Sequence, residues 1–304
     1  MGNLTFENFS SPSSSFDESK IYEFVVNKGY GVKGLVDSGI TSVPSRYIHP
    51  PNERIDRTKT IDASPYLVPP IDLSELEGNK KDEIIKTICR AAEMLGFFQV
   101  VNHGVSDEVM ERVKFAAHTF FNLPPEEKAV YLKSKCTNVS YGTSFSPEVE
   151  NSLEWKDYLS LLYMDDEEAL RLWPKQCRHS DLAALTVLLQ DGIGGLYVKV
   201  EDKGWIEIPP VKGALVINVG DTFEILSNGR YKSAEHRAVA SSTKARVSIP
   251  IFTSPRPHTM IGPFPGLPEK DGKIVYKQLL FGDYMTNFFG GAHQGKKTLD
   301  FAKV

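Results

Sequence analysis

A chain of 304 residues, 41% hydrophobic and 24% charged, has enough apolar material for one large core or two small ones and the make-up of a water-soluble globular protein. Its net charge of -4, with no basic stripe, argues against nucleic acid as a main partner. Cys89, Cys136 and Cys177 are an odd, sparse set without paired spacing, which excludes a disulfide framework and points to free thiols in a reducing compartment. No run of eighteen apolar residues predicts a membrane span. The polar, serine-rich stretch Met1 to Phe16 lacks the basic start and apolar centre of a secretory signal, and Phe6 stands where a myristoylation motif wants Ser or Thr. A cytoplasmic monomer is the expectation.

Residues 1–20 read as a disordered tail, with five serines crowded round Pro12. Glu23-Phe24-Val25-Val26 starts a first helix, which Gly29, Gly31 and Gly34 are expected to break. Residues 44–70, rich in proline, read as an extended connector that enters a strand over Val68–Leu73. Ile84, Ile85, Ile88, Ala91, Ala92 and Leu95 recur at helical spacing, and Gly96 ends that helix. Phe97–Val101 is a buried strand, and Asn102-His103-Gly104 a turn whose histidine is structural. Ser106 caps a second helix with Asp107 and Glu108 in its first turn and Val109, Val113, Ala116, Ala117 and Phe120 as its buried stripe. A strand follows at Leu159–Tyr163. Beyond it, short strands alternate with glycine, proline and Asn-Gly turns: Leu182–Leu189, Leu196–Val200, Trp205–Ile208, Ala214–Val219, Tyr231–Val239 and Arg246–Phe252. Asp221–Leu226 is a helical turn and Tyr276–Phe289 an amphipathic last helix. Such a strand series suits a double-sheet jelly roll that can enclose a small ligand. The predicted organisation is a tail (1–20), a helical and mixed region (21–178) and a jelly-roll core with the C-terminal helix (179–304).

The chemistry gathers in three short stretches. His179 and Asp181, two residues apart, share a face on an extended strand, so imidazole and carboxylate can converge. With His236 they make two histidines and one carboxylate on one side of a metal, the usual cage of non-haem Fe(II). Taken alone, a His-x-Asp is equally a turn or a surface polar pair. Arg246 and Ser248 also share a strand face, and a guanidinium beside a hydroxyl suits a carboxylate held by two prongs, a surface ion pair being the plainer reading. His49, His118, His258 and His293 are the competing ligands.

The surrounding residues are specific. Leu185 to Asp191, Gly194-Gly195-Leu196, Gly220-Asp221, Ser227-Asn228-Gly229, His236-Arg237 and Arg246-Val247-Ser248 resemble, in order, the plant 2-oxoglutarate- and Fe(II)-dependent dioxygenases. The resemblance runs across nearly the whole chain. It implies a mainly β jelly-roll core with an N-terminal helical region and a C-terminal helix over the barrel mouth. It implies Fe(II) on His179, Asp181 and His236, 2-oxoglutarate held by Arg246 and Ser248, O2 as oxidant and ascorbate as reductant. It also places Phe145, Trp155 and Tyr158 at the substrate pocket, where core packing is the other reading of Trp155 and Tyr158. Because the imidazoles must be neutral and the carboxylate ionised, acidification should weaken the metal.

One departure stands out. Relatives carry several dozen residues between Trp-Pro, here Trp173-Pro174, and the metal strand, including a helix and an Asn-x-Tyr strand whose tyrosine contacts the 2-oxoglutarate carboxylate. Here Arg178 runs straight into His179. One or more core elements are therefore expected to be missing, leaving strand edges unpaired and one cosubstrate tether lost. Within the family, Asn27–Gly34, Gly142–Phe145, Gly192–Lys199 and Gly295–Ala302 look closest to hydroxylases of plant coumarin and phenylpropanoid metabolism. That implies a small phenolic substrate, with 8-hydroxylation of scopoletin to fraxetin first and ortho-hydroxylation of feruloyl- or coumaroyl-CoA second. A spliced variant that is inactive or does not fold is the third reading.

Overall fold

The computed structural model describes residues 18–133, 138–148, 150–163, 165–174, 177, 186–268, 272–289 and 295–304. Most of the expected tail, Cys136, His293 and the His179–Asp181 pair lie outside them. The strands among the described residues are β1 (Ile71–Asp72), β2 (Phe97–Val101), β3 (Val139–Thr143), β4 (Asp157–Leu161), β5 (Thr186–Gln190), β6 (Leu196–Val200), β7 (Gly204–Ile208), β8 (Leu215–Asn218), β9 (His236–Ala238), β10 (Ser248–Ile251), β11 (Met260–Ile261) and β12 (Leu279–Leu280). The chain divides into two units, Met1–Glu53 with Phe121–Leu162 and Arg54–Phe120 with Tyr163–Val304.

In the first unit, a helix over Glu18–Tyr22 runs into a π-helical stretch, Glu23–Asn27, closed by the Lys28 N–H on the Glu23 carbonyl at 2.9 Å. Gly29 and Gly31, both at positive φ, end that first helical stretch as expected, but Gly34 breaks nothing. Gly31–Asp37 forms a second helix with Gly34 inside it. The reason is a cap that comes from far along the chain. Asp157 on β4 accepts the Val32 and Lys33 N–H groups at 2.7 and 2.9 Å, where a helix start needs acceptors. Gly31, at φ 68°, lets the backbone pass beside that carboxylate, because a Cβ there would sit 2.3 Å from its oxygen. Ile21, Val25, Val32, Leu35, Tyr47 and Leu153 close the unit's core, and β3 pairs antiparallel with β4.

The second unit carries the two main sheets beside the short β11-β12 pair. The larger is ordered β1-β2-β8-β5-β10, with β1 parallel to β2 and the other pairs antiparallel; the smaller is β7-β6-β9, all antiparallel. Alternation along the strands explains the layering. Phe97, Leu188 and Val216 of the large sheet meet Leu196, Val198, Val200, Ile206 and Ile208 of the small one in a single core. The next residues along, Phe98, Val100 and Ile217, point to the opposite face and pack under Ile84, Ala91 and Ala92 of the Lys81–Met94 helix. A strand covered on both faces reads as an unbroken apolar run, which is why β2 was legible. Each such side chain, fully buried, contributes about 1.5–3 kcal/mol. The two facing sheets are the expected jelly-roll core.

Several expectations need correction. The connector over 44–70 contains 3-10 turns at Ser45–Tyr47, Pro51–Glu53 and Arg57–Lys59 rather than plain extended chain. Ile85 and Val109 are exposed despite their helical spacing, since Ile84 and Met110 take the inward positions. The strands foreseen at Val68–Leu73, Tyr231–Val239 and Arg246–Phe252 shrink to β1, β9 and β10, and the one foreseen at Leu159–Tyr163 starts two residues earlier. The last helix starts at Phe281, not Tyr276, because Leu279 and Leu280 pair with β11 first, and a 3-10 segment, Gly295–Ala302, follows it. No helix among the described residues is long and apolar enough to cross a membrane.

Candidate metal and cosubstrate site

His236 opens β9, opposite Val198 in the antiparallel pairing with β6. Residues directly opposite share a face, and Val198 lies in the inter-sheet core, so His236 projects toward the space between the sheets. Its ring meets Phe97 of β2 edge-on at 5.1 Å. Nδ1 lies 3.1 Å from the Ala234 carbonyl oxygen, which can only accept. The ring can therefore donate from Nδ1, and in the neutral imidazole that tautomer is the one in which a histidine ligates through Nε2. The strand is braced on its other side. The Glu235 carbonyl accepts the Lys199 N–H at 2.8 Å, and its carboxylate pairs with Lys199 at 3.1 Å and Arg237 at 3.0 Å. Burial works against that carboxylate, but the Lys199 hydrogen bond and the two cations win and hold it below the ordinary range.

Arg246 and Ser248 come together as their spacing implies, with Nη1 3.1 Å from the Ser248 hydroxyl. Register adds a residue that spacing could not supply. Ser248 stands opposite Gln190 and Pro250 opposite Leu188, a residue of the inter-sheet core, so Ser248 and Gln190 line that same space. Gln190 accepts from Nη2 of Arg246 at 3.2 Å, and the Gly194 carbonyl accepts from Nε at 2.7 Å. Asp191 anchors the surrounding backbone by accepting the Ile193 N–H at 3.1 Å and the Val247 N–H. Burial pulls the guanidinium below its ordinary value and the Asp191 charge opposes that fall. Three of the five guanidinium N–H groups are thus occupied by these partners, leaving one on each terminal nitrogen without a partner among the described residues, the number a two-pronged carboxylate contact requires.

His179 and Asp181 lie outside the described residues, and among those described no three His, Cys, Asp or Glu side chains gather as a metal cage. His103 is committed to backbone. Its Nδ1 accepts the Val105 N–H at 3.2 Å and its Nε2 lies 3.1 Å from the Gly213 carbonyl. His118 and His258 are exposed, and His49, also exposed, lies 3.5 Å from Glu53. In the first unit Phe145 and Tyr158 stack at 4.7 Å and 5°, with Lys156 Nζ 4.9 Å from the Phe145 ring. Trp155 instead meets Tyr47 edge-on at 4.9 Å and packs on the unit's core. An imidazole that can donate from Nδ1 and offer Nε2, and an arginine with a matched pair of N–H groups, fit a divalent metal and a dicarboxylate.

Comparisons with known proteins agree with this chemistry. Residues 136–255 match the 2OG-Fe(II) oxygenase superfamily, and residues 68–176 match the family described as non-haem dioxygenase in morphine synthesis N-terminal. Scopoletin 8-hydroxylase of Arabidopsis thaliana is 46% identical over 352 aligned positions, which take in 95% of this chain and 98% of the relative. A feruloyl CoA ortho-hydroxylase of Ipomoea batatas is 45% identical, with 94% and 97% covered. Because 95% of 304 residues is about 289, about 60 of the 352 aligned positions have no residue in this chain, in keeping with the expected missing segment. Among solved structures, that of JOX2 in complex with 2OG, Fe and JA superposes with a TM-score of 0.72 at 27% identity, covering 90% of this chain and 97% of that one. The rice dioxygenase for auxin oxidation shares the fold, with a TM-score of 0.63 at 20% identity over 78% of this chain and all of its own.

Proposed function

This chain belongs to the 2OG-Fe(II) oxygenase superfamily, and from that premise we propose that it hydroxylates a plant phenolic, scopoletin first, at the 8-position to give fraxetin. The observation that carries the reading is that His236 opens β9 of the small sheet with its ring against Phe97 of the large one, while Ser248, bonded to Arg246, opens β10 of the large sheet on the face that meets the small one. The cofactors of the family are Fe(II) and 2-oxoglutarate, with O2 consumed and ascorbate keeping the iron reduced. His236, through Nε2, would hold the metal together with His179 and Asp181. When bound, the iron supplies the centre at which O2 is activated as 2-oxoglutarate is oxidised to succinate and carbon dioxide. The Ala234 carbonyl keeps the His236 ring in the ligating tautomer. Arg246 and Ser248 fix the far carboxylate of 2-oxoglutarate and thereby orient its keto acid end. Phe145 and Tyr158 offer a flat aromatic face of the kind a phenolic ring stacks on, and with Trp155 they are the proposed substrate residues. We read the protein as a cytoplasmic monomer acting on a small molecule.

The assay follows directly. Purified protein with Fe(II), ascorbate, 2-oxoglutarate and scopoletin is expected to release succinate and a product heavier by one oxygen. Consumption of feruloyl-CoA with scopoletin untouched would favour the ortho-hydroxylase reading, which the 45% identity to such an enzyme supports. The roughly 60 absent positions favour a third outcome, a folded protein that binds metal without turnover. A melt with and without Mn(II) and 2-oxoglutarate separates these. At a hundredfold excess over Kd, binding adds about 2.7 kcal/mol, several degrees in Tm. A broad melt that ignores both ligands would remove the site altogether.

Arg246→Lys is expected to raise KM for 2-oxoglutarate by about 100-fold, since it loses a charge-assisted two-pronged contact worth about 1.5–3 kcal/mol per hydrogen bond. Ser248→Ala, losing a neutral contact, should cost about 5-fold. KM for the phenolic should hardly move, and equal effects on both substrates would reject the assignment.

A further inference from the structure

The segment that delivers His236 is tied down by two carboxylates, and each carboxylate is shared with the far end of the chain. Asp221 and Glu224 stand one turn apart on the Asp221–Leu226 helix. The Ser233 hydroxyl donates to one oxygen of Asp221 at 2.6 Å, and the Ser233 N–H donates to one oxygen of Glu224 at 2.6 Å. The second oxygen of Asp221 accepts the Tyr284 hydroxyl at 2.7 Å, and the second oxygen of Glu224 accepts the Tyr276 hydroxyl at 2.8 Å. Both tyrosines are buried, 4% and 2% exposed, in an apolar cluster with Ile225, Leu279 and Phe281. Packing alone would be served by phenylalanine there. Among the described residues, the hydroxyls are used by the carboxylates. Burial and the neighbouring acids push both phenols far above their ordinary value, so they remain donors at any pH the protein tolerates.

Ser233 leads directly into Ala234, whose carbonyl sets the His236 tautomer. Displacing Ser233 therefore turns the acceptor that aims the imidazole. We propose that Asp221, Glu224, Tyr276 and Tyr284 are positioning residues that couple the C-terminal segment to His236 and set how tightly the site holds a metal. The proposal rests on the reading of His236 as a metal ligand.

The test uses Tyr276→Phe, Tyr284→Phe, the double variant and Ser233→Ala in the full chain, with Tyr141→Phe, a buried tyrosine of the other unit, as control. Mn(II) affinity is measured by electron paramagnetic resonance of the free ion, alongside the metal-free melt. The imidazole nitrogen signals of 15N-histidine-labelled protein are recorded, with His236 assigned by its loss in His236→Ala. Each single Tyr→Phe variant is expected to raise the Mn(II) Kd by about 3- to 10-fold and the double variant by about 10- to 100-fold, the range for groups that orient metal ligands. The His236 signals should shift from a pure Nδ1–H pattern toward a mixture, while Tyr141→Phe leaves both readouts unchanged. Wild-type affinity in both single variants and in Ser233→Ala overturns the relay, even if the double variant fails to fold. If the wild type binds no Mn(II), or binds it equally after His236→Ala, the reading of His236 as a ligand falls and takes the relay with it.

Discussion

His236→Ala is expected to abolish succinate release and phenolic hydroxylation and to weaken Mn(II) binding by more than 100-fold. The size of the effect follows from what is removed. Altering a residue that merely orients a ligand costs about 10- to 100-fold in affinity, and on the proposed reading one of three protein donors disappears. The change should be nearly silent in the metal-free protein. The imidazole is exposed, it meets the edge of Phe97, and its Nδ1 faces a carbonyl that water can satisfy. Surface substitutions of this kind shift stability by about 0.5 kcal/mol or less. The two melts therefore separate cause from damage. Without metal the variant and wild type should coincide, and with Mn(II) and 2-oxoglutarate only the wild type should move. A variant that still gains stability from the metal would remove His236 from the site. His236→Gln, which keeps a polar side chain at that position, is expected to behave like the alanine variant, since an amide is a poor stand-in for an imidazole at iron.

The parts of the chain that were legible beforehand are those where a local rule and the tertiary environment agree. β2 and β6 match their expected bounds because apolar runs bounded by Gly96 and Gly195 have a single buried solution. The Asp221–Leu226 helix is bracketed by Gly220 and the Ser227-Asn228-Gly229 turn, where Asn228 and Gly229 both take positive φ. The Arg246–Ser248 pair was legible from a two-residue spacing. What stayed hidden depends on partners far along the chain. Nothing near Gly31 announces that Asp157 will cap its helix, 125 residues from Val32. Gln190 joins Arg246 only through the register of β5 on β10. Tyr276 and Tyr284 fall within the expected amphipathic last helix with nothing to mark their hydroxyls, whose partners on the Asp221–Leu226 helix lie 52 and 63 residues away. Helical spacing also marks Ile85 and Val109 as inward, and only the packing of Ile84 and Met110 decides against them. Periodicity finds an apolar face to within a residue or two, and the neighbouring element selects which residue is buried.

Gly96→Ala is expected to destabilise the protein by about 3–5 kcal/mol and to loosen the proposed metal site with it. Gly96 lies at φ 72°, between the Lys81–Met94 helix and β2, and an added Cβ would stand 1.7 Å from the Lys232 carbonyl oxygen and 2.9 Å from its carbon. Those are backbone atoms, so no rotamer change relieves the overlap. The Lys232 segment is itself fixed, because its N–H donates to the Ala92 carbonyl at 3.0 Å and the next residue, Ser233, is held by Asp221 and Glu224. Either the turn after the helix or the approach to His236 must move. Gly104→Ala separates strain from collision. Gly104 also has a positive φ, 85°, but an added Cβ there meets nothing within 4 Å, so only the left-handed strain of about 1–2 kcal/mol remains. The measurements are the metal-free urea midpoint and the Mn(II) Kd of both variants. Gly96→Ala should lose several-fold more stability than Gly104→Ala and should alone weaken Mn(II) binding, because only its clash falls on the chain leading to the proposed ligand, His236. Equal losses in the two variants would show that the close approach at Lys232 contributes nothing beyond a strained φ, and that the path into His236 tolerates displacement.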